Sequence, residues 1–284
     1  MAKVMDPQGS DPAIKALLFG ASGSGKTAFG CTAPRPLILL SERQGAATIR
    51  KRAKEMGIDT PTVAVMESIA DYQTVVKALH GDRSKPFTWV DKDGQTVLTM
   101  DPWPETVVID SITDACELIR HSVEKASPPK KGDDGLPVFS QRHWAALRTR
   151  CEKVIRWFRD VPTHVIFLAL LDERLNESSD GVTTRTVGPL LPMRALPDVL
   201  MAATNVAGVL VRKSVTREGA EKGEDKEMVY TVRTNGPSFL RVKPFRPLAD
   251  EEEADFSAWI AKLSAEKPKP KTKKKKASKP EARA

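Results

Sequence analysis

Long apolar runs are absent from this sequence. The longest, residues 165–171, is seven residues, whereas a helix that crosses a membrane needs ~20. The N-terminus has no apolar signal core, which argues against export. Cysteine is scarce: Cys31, Cys116 and Cys151 are the whole supply. None stands at metal-ligand spacing from another Cys or a His, which removes thiolate metal sites, and an odd, sparse count fits a reducing cytoplasm. No internal repeat is present, which removes a solenoid or propeller. Net positive charge is nearly missing from the body of the chain. Of the formal +8, residues from 266 onward carry +7 (eight Lys and one Arg against two Glu), leaving +1 for everything before them. A basic tail of this kind draws polyanions without sequence preference, or serves solubility alone.

The remainder divides simply. Residues 1–12 are polar with Pro and Gly and read as a flexible leader. Residues 265–284 are a Lys/Pro tail that cannot bury a core and is expected to be disordered. Residues 13–264 suit one α/β domain. Buried strands are expected at 14–19, 37–40, 62–65, 106–109 and 165–171. They alternate with helices at 26–33, 46–56, 68–79, from Ser111, and from Ser140. Inner strands that are apolar throughout predict a mainly parallel central sheet with helices on both faces. Late strands at 206–211 and 228–232, joined by a charged tip at 217–227, are expected to be antiparallel, and residues 250–263 read as a last helix. Asp93–Gly94 marks a hairpin insertion at about 87–99, and Asp180–Gly181 a second hairpin at 174–187. Residues 127–137 read as a flexible loop, and 192–203 as a helix broken near Pro197. Trp144 is expected on the buried stripe of its helix, with Trp89 and Trp103 at the surface.

The strongest chemical signal is Gly20, Ala21, Ser22, Gly23, Ser24, Gly25, Lys26 and Thr27, which fits G-x-x-x-x-G-K-[ST] at every fixed position. Glycines let the backbone curl so that successive N–H groups face phosphate oxygens, and the following helix start favours the same anion. Lys26 is then the compact cation for the outer phosphates, and the Thr27 hydroxyl a ligand of Mg2+. The rival reading, an ordinary Gly/Ser turn before a helix, does not require all four fixed positions, Gly20, Gly25, Lys26 and Thr27. Asp110, ending the apolar run from Thr106, can face phosphates at the carboxyl edge of a sheet and hold the Mg2+ shell; helix capping is the plain alternative. Transfer to water also needs a group that orients the attacking water. Glu42, just past the second strand, is the candidate catalytic base, with Glu173 the alternative.

A P-loop, a strand ending in Glu and a strand ending in Asp-Ser resemble the RecA-like ATPases. The likeness is closer to the phage RecA-like single-strand annealing ATPases. It rests on residues 20–27, 39–42, 107–111, 141–144, 164–167 and 188–192, and spans about 14–245. The resemblance implies a RecA-like P-loop NTPase core that binds ATP and Mg2+, hydrolyses ATP, and binds single-stranded DNA. Annealing or strand exchange in phage recombination and replication would be its task, in the host cytoplasm. It implies a homo-oligomer, ring or filament, with ATP between subunits; a single-strand-binding protein is a further candidate partner. DNA contacts are expected on two loops, at Lys130 and Lys131 and at Arg174 and Arg185, with solvated surface charge the rival reading. Arg194 is a candidate arginine finger for a neighbour's nucleotide. Leu170 and Leu171 stand where RecA-like proteins carry a polar sensor. Arg50, Arg52 and Lys54 read as a wet helix face. Three other classes compete: a helicase or translocase motor, a small-molecule kinase, and a nucleotide-gated binding module with little hydrolysis. DNA-stimulated turnover and an annealing assay against an unwinding assay separate them.

Overall fold

The computed structural model describes residues 13–42, 45–177, 183–216 and 226–265. The leader at 1–12, the tail from 266, the Asp180–Gly181 turn and most of the 217–227 tip lie outside the described residues. In chain order the elements are β1 (Lys15–Gly20), α1 (Lys26–Cys31), β2 (Pro36–Leu40), α2 (Gly45–Met56), β3 (Thr62–Val65), α3 (Ile69–Leu79), β4 (Phe87–Val90) and β5 (Thr96–Met100). Then come β6 (Thr106–Asp110), α4 (Ile112–Ala126), β7 (Lys130–Lys131), β8 (Pro137–Val138), α5 (Gln141–Asp160), β9 (His164–Glu177) and β10 (Thr183–Pro189). The last are α6 (Leu196–Ala203), β11 (Val206–Thr216), β12 (Lys226–Arg233), β13 (Glu251–Glu253) and α7 (Phe256–Ala265).

The main sheet runs β13-β12-β11-β1-β9-β6-β2-β3. Every pairing from β11 to β3 is parallel, and β12 and β13 join antiparallel. The expected architecture is therefore present, a mainly parallel sheet with late antiparallel strands. Its central strands are buried on both faces, so they show no alternation and are Val-, Ile- and Leu-rich. One face packs α3, α4, α5 and α6 through Tyr72, Ile119, Val154 and Leu200. The other packs α1, α2 and α7 through Phe29, Ile49 and Trp259.

Local chemistry sets the helix starts. Ser68 N–H donates to Asp71 Oδ2 at 2.8 Å, a reciprocal cap opening α3. Asp114 N–H donates to Ser111 Oγ at 3.2 Å, opening α4. At α5 the partner is His143, whose Nδ1 accepts from Ser140 N–H at 3.0 Å while Nε2 lies 2.9 Å from Ser127 O. The imidazole thereby fastens the start of α5 to the end of α4.

Several expectations are corrected. Residues 127–137 are not a structureless loop, because Lys130 and Lys131 pair with Val138 and Pro137 in a small hairpin. The run at 165–171 does not stop there. β9 continues to Glu177, its inner half pairing in the main sheet and its outer half with β10 only. Pro197 does not break a helix; it sits in the first turn of α6, where its missing N–H costs nothing. Residues 251–253 are strand, because β12 offers a free edge to them, and Asp255 Oδ1 caps α7 by accepting from Ala258 N–H at 3.1 Å. Trp144 is 39% exposed, with His143 in the buried phase of α5, whereas Trp89 is 2% exposed and donates to Thr74 Oγ1 beneath α3.

The phosphate-loop helix has an unexpected support in the C-terminal helix. Phe29 of α1 meets Trp259 and Phe256 of α7 edge-on at 5.1 and 5.9 Å. Thr32 Oγ1 accepts from Phe256 N–H at 2.9 Å. Trp259→Ala is expected to lower the unfolding free energy by about 3–5 kcal/mol in urea denaturation, while Trp144→Ala, on exposed surface, shifts it by under about 1 kcal/mol.

Candidate functional site

β1 ends at Gly20 and α1 begins at Lys26, so the loop between them sits at the carboxyl edge of the sheet. Gly23 and Gly25 have φ of 74° and 94°, the left-handed region that side chains resist. At Gly25 space matters too, since a Cβ there would stand 2.7 Å from the Tyr230 ring on β12. Gly20 is closed in by its own loop: a Cβ would lie 2.5 Å from Ser24 Oγ. The first turn of α1 leaves its backbone N–H groups without intrahelical partners, as any helix start does. The Lys26 ammonium donates to Gly20 O at 2.8 Å and Ala21 O at 2.9 Å. An ammonium has three N–H donors, so one remains for an anion. Ser24 Oγ is buried with no hydrogen-bond partner among the described residues.

The strand register brings the second half of the site alongside. β9 lies between β1 and β6, pairing Gly20 with Leu170 on one side and Asp110 with Leu168 on the other. Thr27 at the start of α1 bridges that gap, and its hydroxyl donates to Asp110 Oδ2 at 2.7 Å. Burial pushes the Asp110 carboxyl above its ordinary pKa, while the Thr27 hydroxyl and the Lys26 ammonium draw it back. Burial likewise lowers the Lys26 pKa, opposed by Asp110 and Asp114. Opposed shifts of this kind in one crevice mark functional sites more often than surfaces. The crevice has a volume of about 250 Å3. A larger cavity, about 500 Å3, lies at the amino ends of β2 and β3 beside Thr60; chemistry, not size, selects the site.

These residues fit a triphosphate with a divalent cation. The loop offers glycine-shaped main chain, one spare ammonium donor and an unpartnered hydroxyl. The metal-ligating groups are one hydroxyl touching one carboxylate, and no cluster of three or more His, Cys, Asp or Glu side chains arranged for a metal exists among the described residues. That is too few for a self-contained metal cage. It suits Mg2+, which takes one or two carboxylates and fills its octahedron with phosphate oxygens and water.

The other candidate residues are distributed as follows. Glu42 follows β2, is exposed and does not itself line the crevice, but it stands near enough to contribute to the raised pKa of Asp110. Glu173 is on β9 in an ion pair with Arg185 at 2.7 Å and does not line the crevice. Lys130 and Lys131 are exposed on β7. Arg174 pairs with Asp172. Arg185 also lies 5.2 Å from the Phe239 ring centroid. Arg194 is exposed in the turn before α6.

Sequence reasoning missed three participants. Asp114, read as a helix cap, also lines the crevice and accepts from the Ser111 hydroxyl. Thr48 and Arg52 of α2 line it as well; Arg52 is exposed, as a wet face requires, and pairs with Glu55 at 2.7 Å while bordering the crevice. Their i, i+4 spacing placed them on one face, but only the packing of α2 against α1 shows which way that face looks.

Residues 13–235 match the family model described as an AAA domain. No curated protein matches the chain. Among solved structures, the chain is similar to a KaiC-like protein from the hyperthermophilic archaeon Pyrococcus horikoshii OT3, at 10% identity and a TM-score of 0.38, with 84% of each chain covered. A likeness that slight carries no inference. No helix among the described residues is long and apolar enough to cross a membrane.

Lys26→Ala removes the one ammonium at the loop. It is expected to weaken nucleotide affinity by about 10- to 100-fold, the worth of a charge-assisted contact, in a titration with a fluorescent ATP analogue. Unchanged affinity refutes phosphate binding at residues 20–27.

Proposed function

The chain belongs to the AAA domain family, and on that footing we propose that it binds Mg-ATP in the P-loop crevice, hydrolyses it, and uses the nucleotide to control binding to single-stranded DNA. The observation that carries the nucleotide reading is the contact of Thr27 with Asp110 at 2.7 Å beside the glycine loop. Two residues 83 positions apart, each predicted from its own motif, meet at one point of the sheet edge.

In this reading residues 20–25 wrap the phosphates with main-chain N–H groups and Lys26 neutralises the outer ones. Thr27 and Asp110 hold the cation, with Asp114 and Ser111 fixing the wall behind Asp110. Bound Mg-ATP supplies a phosphoanhydride whose cleavage the cation eases by neutralising charge on the phosphate oxygens. Glu42 accepts a proton from the attacking water through its carboxylate and orients it. Arg52, paired with Glu55, stands at the rim of the same crevice. Burial of Lys26 and of the Asp110 carboxyl makes their contacts stronger than in water.

The single-stranded-DNA reading is supported by the shared motif runs over about 14–245 and by the basic tail. Annealing or strand exchange in phage recombination and replication is the activity they fit, by a homo-oligomer with ATP at its interfaces. A second reading has one observation behind it. Leu170, not a polar residue, lines the crevice where the part of β9 that pairs with β1 ends, which favours a nucleotide-gated binding module with slow hydrolysis.

Glu42→Gln is expected to keep ATP affinity and lose at least ~100-fold in hydrolysis, the usual worth of a general base, in a phosphate-release assay. Retained hydrolysis takes Glu42 out of the role. Wild-type hydrolysis should rise on adding a single-stranded oligonucleotide; a rate indifferent to DNA, with binding still dependent on ATP, favours the gated module.

A further inference from the structure

A cavity of about 300 Å3 opens beside the β9–β10 hairpin, separate from the P-loop crevice. Three arginines from distant parts of the chain line it. Arg174 is on β9, Arg194 precedes α6, and Arg241 lies in the stretch that bridges to Val187 of β10. The pairings Asp172 with Gly188 and Arg174 with Thr186 put those four residues on one face of the hairpin. Arg185 and Glu173 fall on the opposite face. Gly188 makes room for the Arg241 stem, because a Cβ there would stand 3.0 Å from Arg241 Cδ.

The charge of this lining is unbalanced. Asp172 is its one carboxylate among the described residues, and it is engaged with Arg174. Arg241 is held by Asp198, outside the cavity, at 2.6 Å. Arg194 makes no ion pair among the described residues. Guanidinium forks match phosphate oxygens in geometry and charge. No Trp, Tyr or Phe lines the cavity, so it offers no platform on which a base would stack. Its chemistry selects a phosphate group, not a nucleobase.

The cavity is also tied to the nucleotide crevice. Leu190 N–H, next to the Gly188–Pro189 wall, donates to Leu170 O at 2.7 Å. Thr113 Oγ1 donates to Leu190 O at 2.9 Å and accepts from Leu170 N–H at 3.0 Å. Leu170 lines the P-loop crevice, and Thr113 stands between Ser111 and Asp114, which line it too.

We propose that this cavity binds backbone phosphates of single-stranded nucleic acid, with Arg194 making the contact and the ion-paired Arg174 and Arg241 walling the cavity around it. The proposal rests on the reading of the protein as a nucleotide-controlled single-strand binder. It is tested by fluorescence anisotropy of a labelled oligothymidylate with the full chain and a non-hydrolysable ATP analogue. Arg194→Ala should weaken binding about tenfold and lower the slope of log affinity against log salt by about one. Arg194→Lys should recover part of the loss, and both variants should unfold in urea at the wild-type midpoint, showing that they fold. Wild-type binding that Arg194→Ala leaves intact overturns the cavity while the single-strand reading stands. Loss of binding only when Lys273, Lys274, Lys275 and Lys276 are changed to Gln puts DNA on the tail and also overturns it. Hydrolysis lost with DNA binding unchanged makes Arg194 an arginine finger instead. Calorimetric binding of inorganic phosphate that Arg194→Ala abolishes, with oligonucleotide binding unaffected, makes the cavity a small-anion site. A wild type that binds no oligonucleotide sinks both readings.

Discussion

The Thr27 hydroxyl reaches the Asp110 carboxylate because one strand, β9, separates the strands that carry them. Adjacent strands lie ~4.8 Å apart, so β1 and β6 are roughly 10 Å apart at their axes. The first turn of α1 leans over that gap. A direct β1–β6 pairing would crowd the loop against the carboxylate, and another intervening strand would carry Asp110 out of reach. The parallel register also brings Leu40, Asp110, Leu168 and Gly20 to the same sheet edge. Glu42 and Asp114 follow directly from strands that end there. The electrostatics of the crevice, with a carboxyl pushed up and an ammonium pushed down by the same burial, result from that alignment.

The loop is braced from elements far along the chain. Tyr230 of β12 stands against Gly25, so the left-handed turn there is fixed both by its backbone and by an aromatic wall. Trp259 and Phe256 of α7 pin Phe29 on the buried side of α1. The late antiparallel strands and the C-terminal helix therefore hold the phosphate loop in shape, in addition to closing the sheet.

β9 serves two structures at once. Its inner half is the central parallel strand, and its outer half leaves the sheet to form a hairpin with β10. Thr113 clasps both arms at the point of departure, joining Leu170 N–H to Leu190 O through one hydroxyl. A buried hydroxyl with both its hydrogen-bonding roles used defines position tightly.

Residues close in sequence spoke for themselves. The phosphate loop, the apolar strands ending at Asp110, the Ser68 and Ser111 helix starts and the Asp93–Gly94 turn depend on backbone conformation and on hydrogen bonds within a few positions. Such features are readable from residue types alone. The direction a helix face looks is not readable from residue types, so Trp144 and Trp89 stand in other surroundings than their spacing suggests, and Asp114 does more than cap a helix. Nor could a linear pattern show that Arg174, Arg194 and Arg241 share one cavity while Arg185 is turned away. Strand alternation decides that, and it depends on a register set by pairing. Residue types alone reveal which groups are available to a phosphate and a metal; which of them meet depends on the fold, because separations of 83 residues, as between Thr27 and Asp110, are closed only by the order of strands in the sheet.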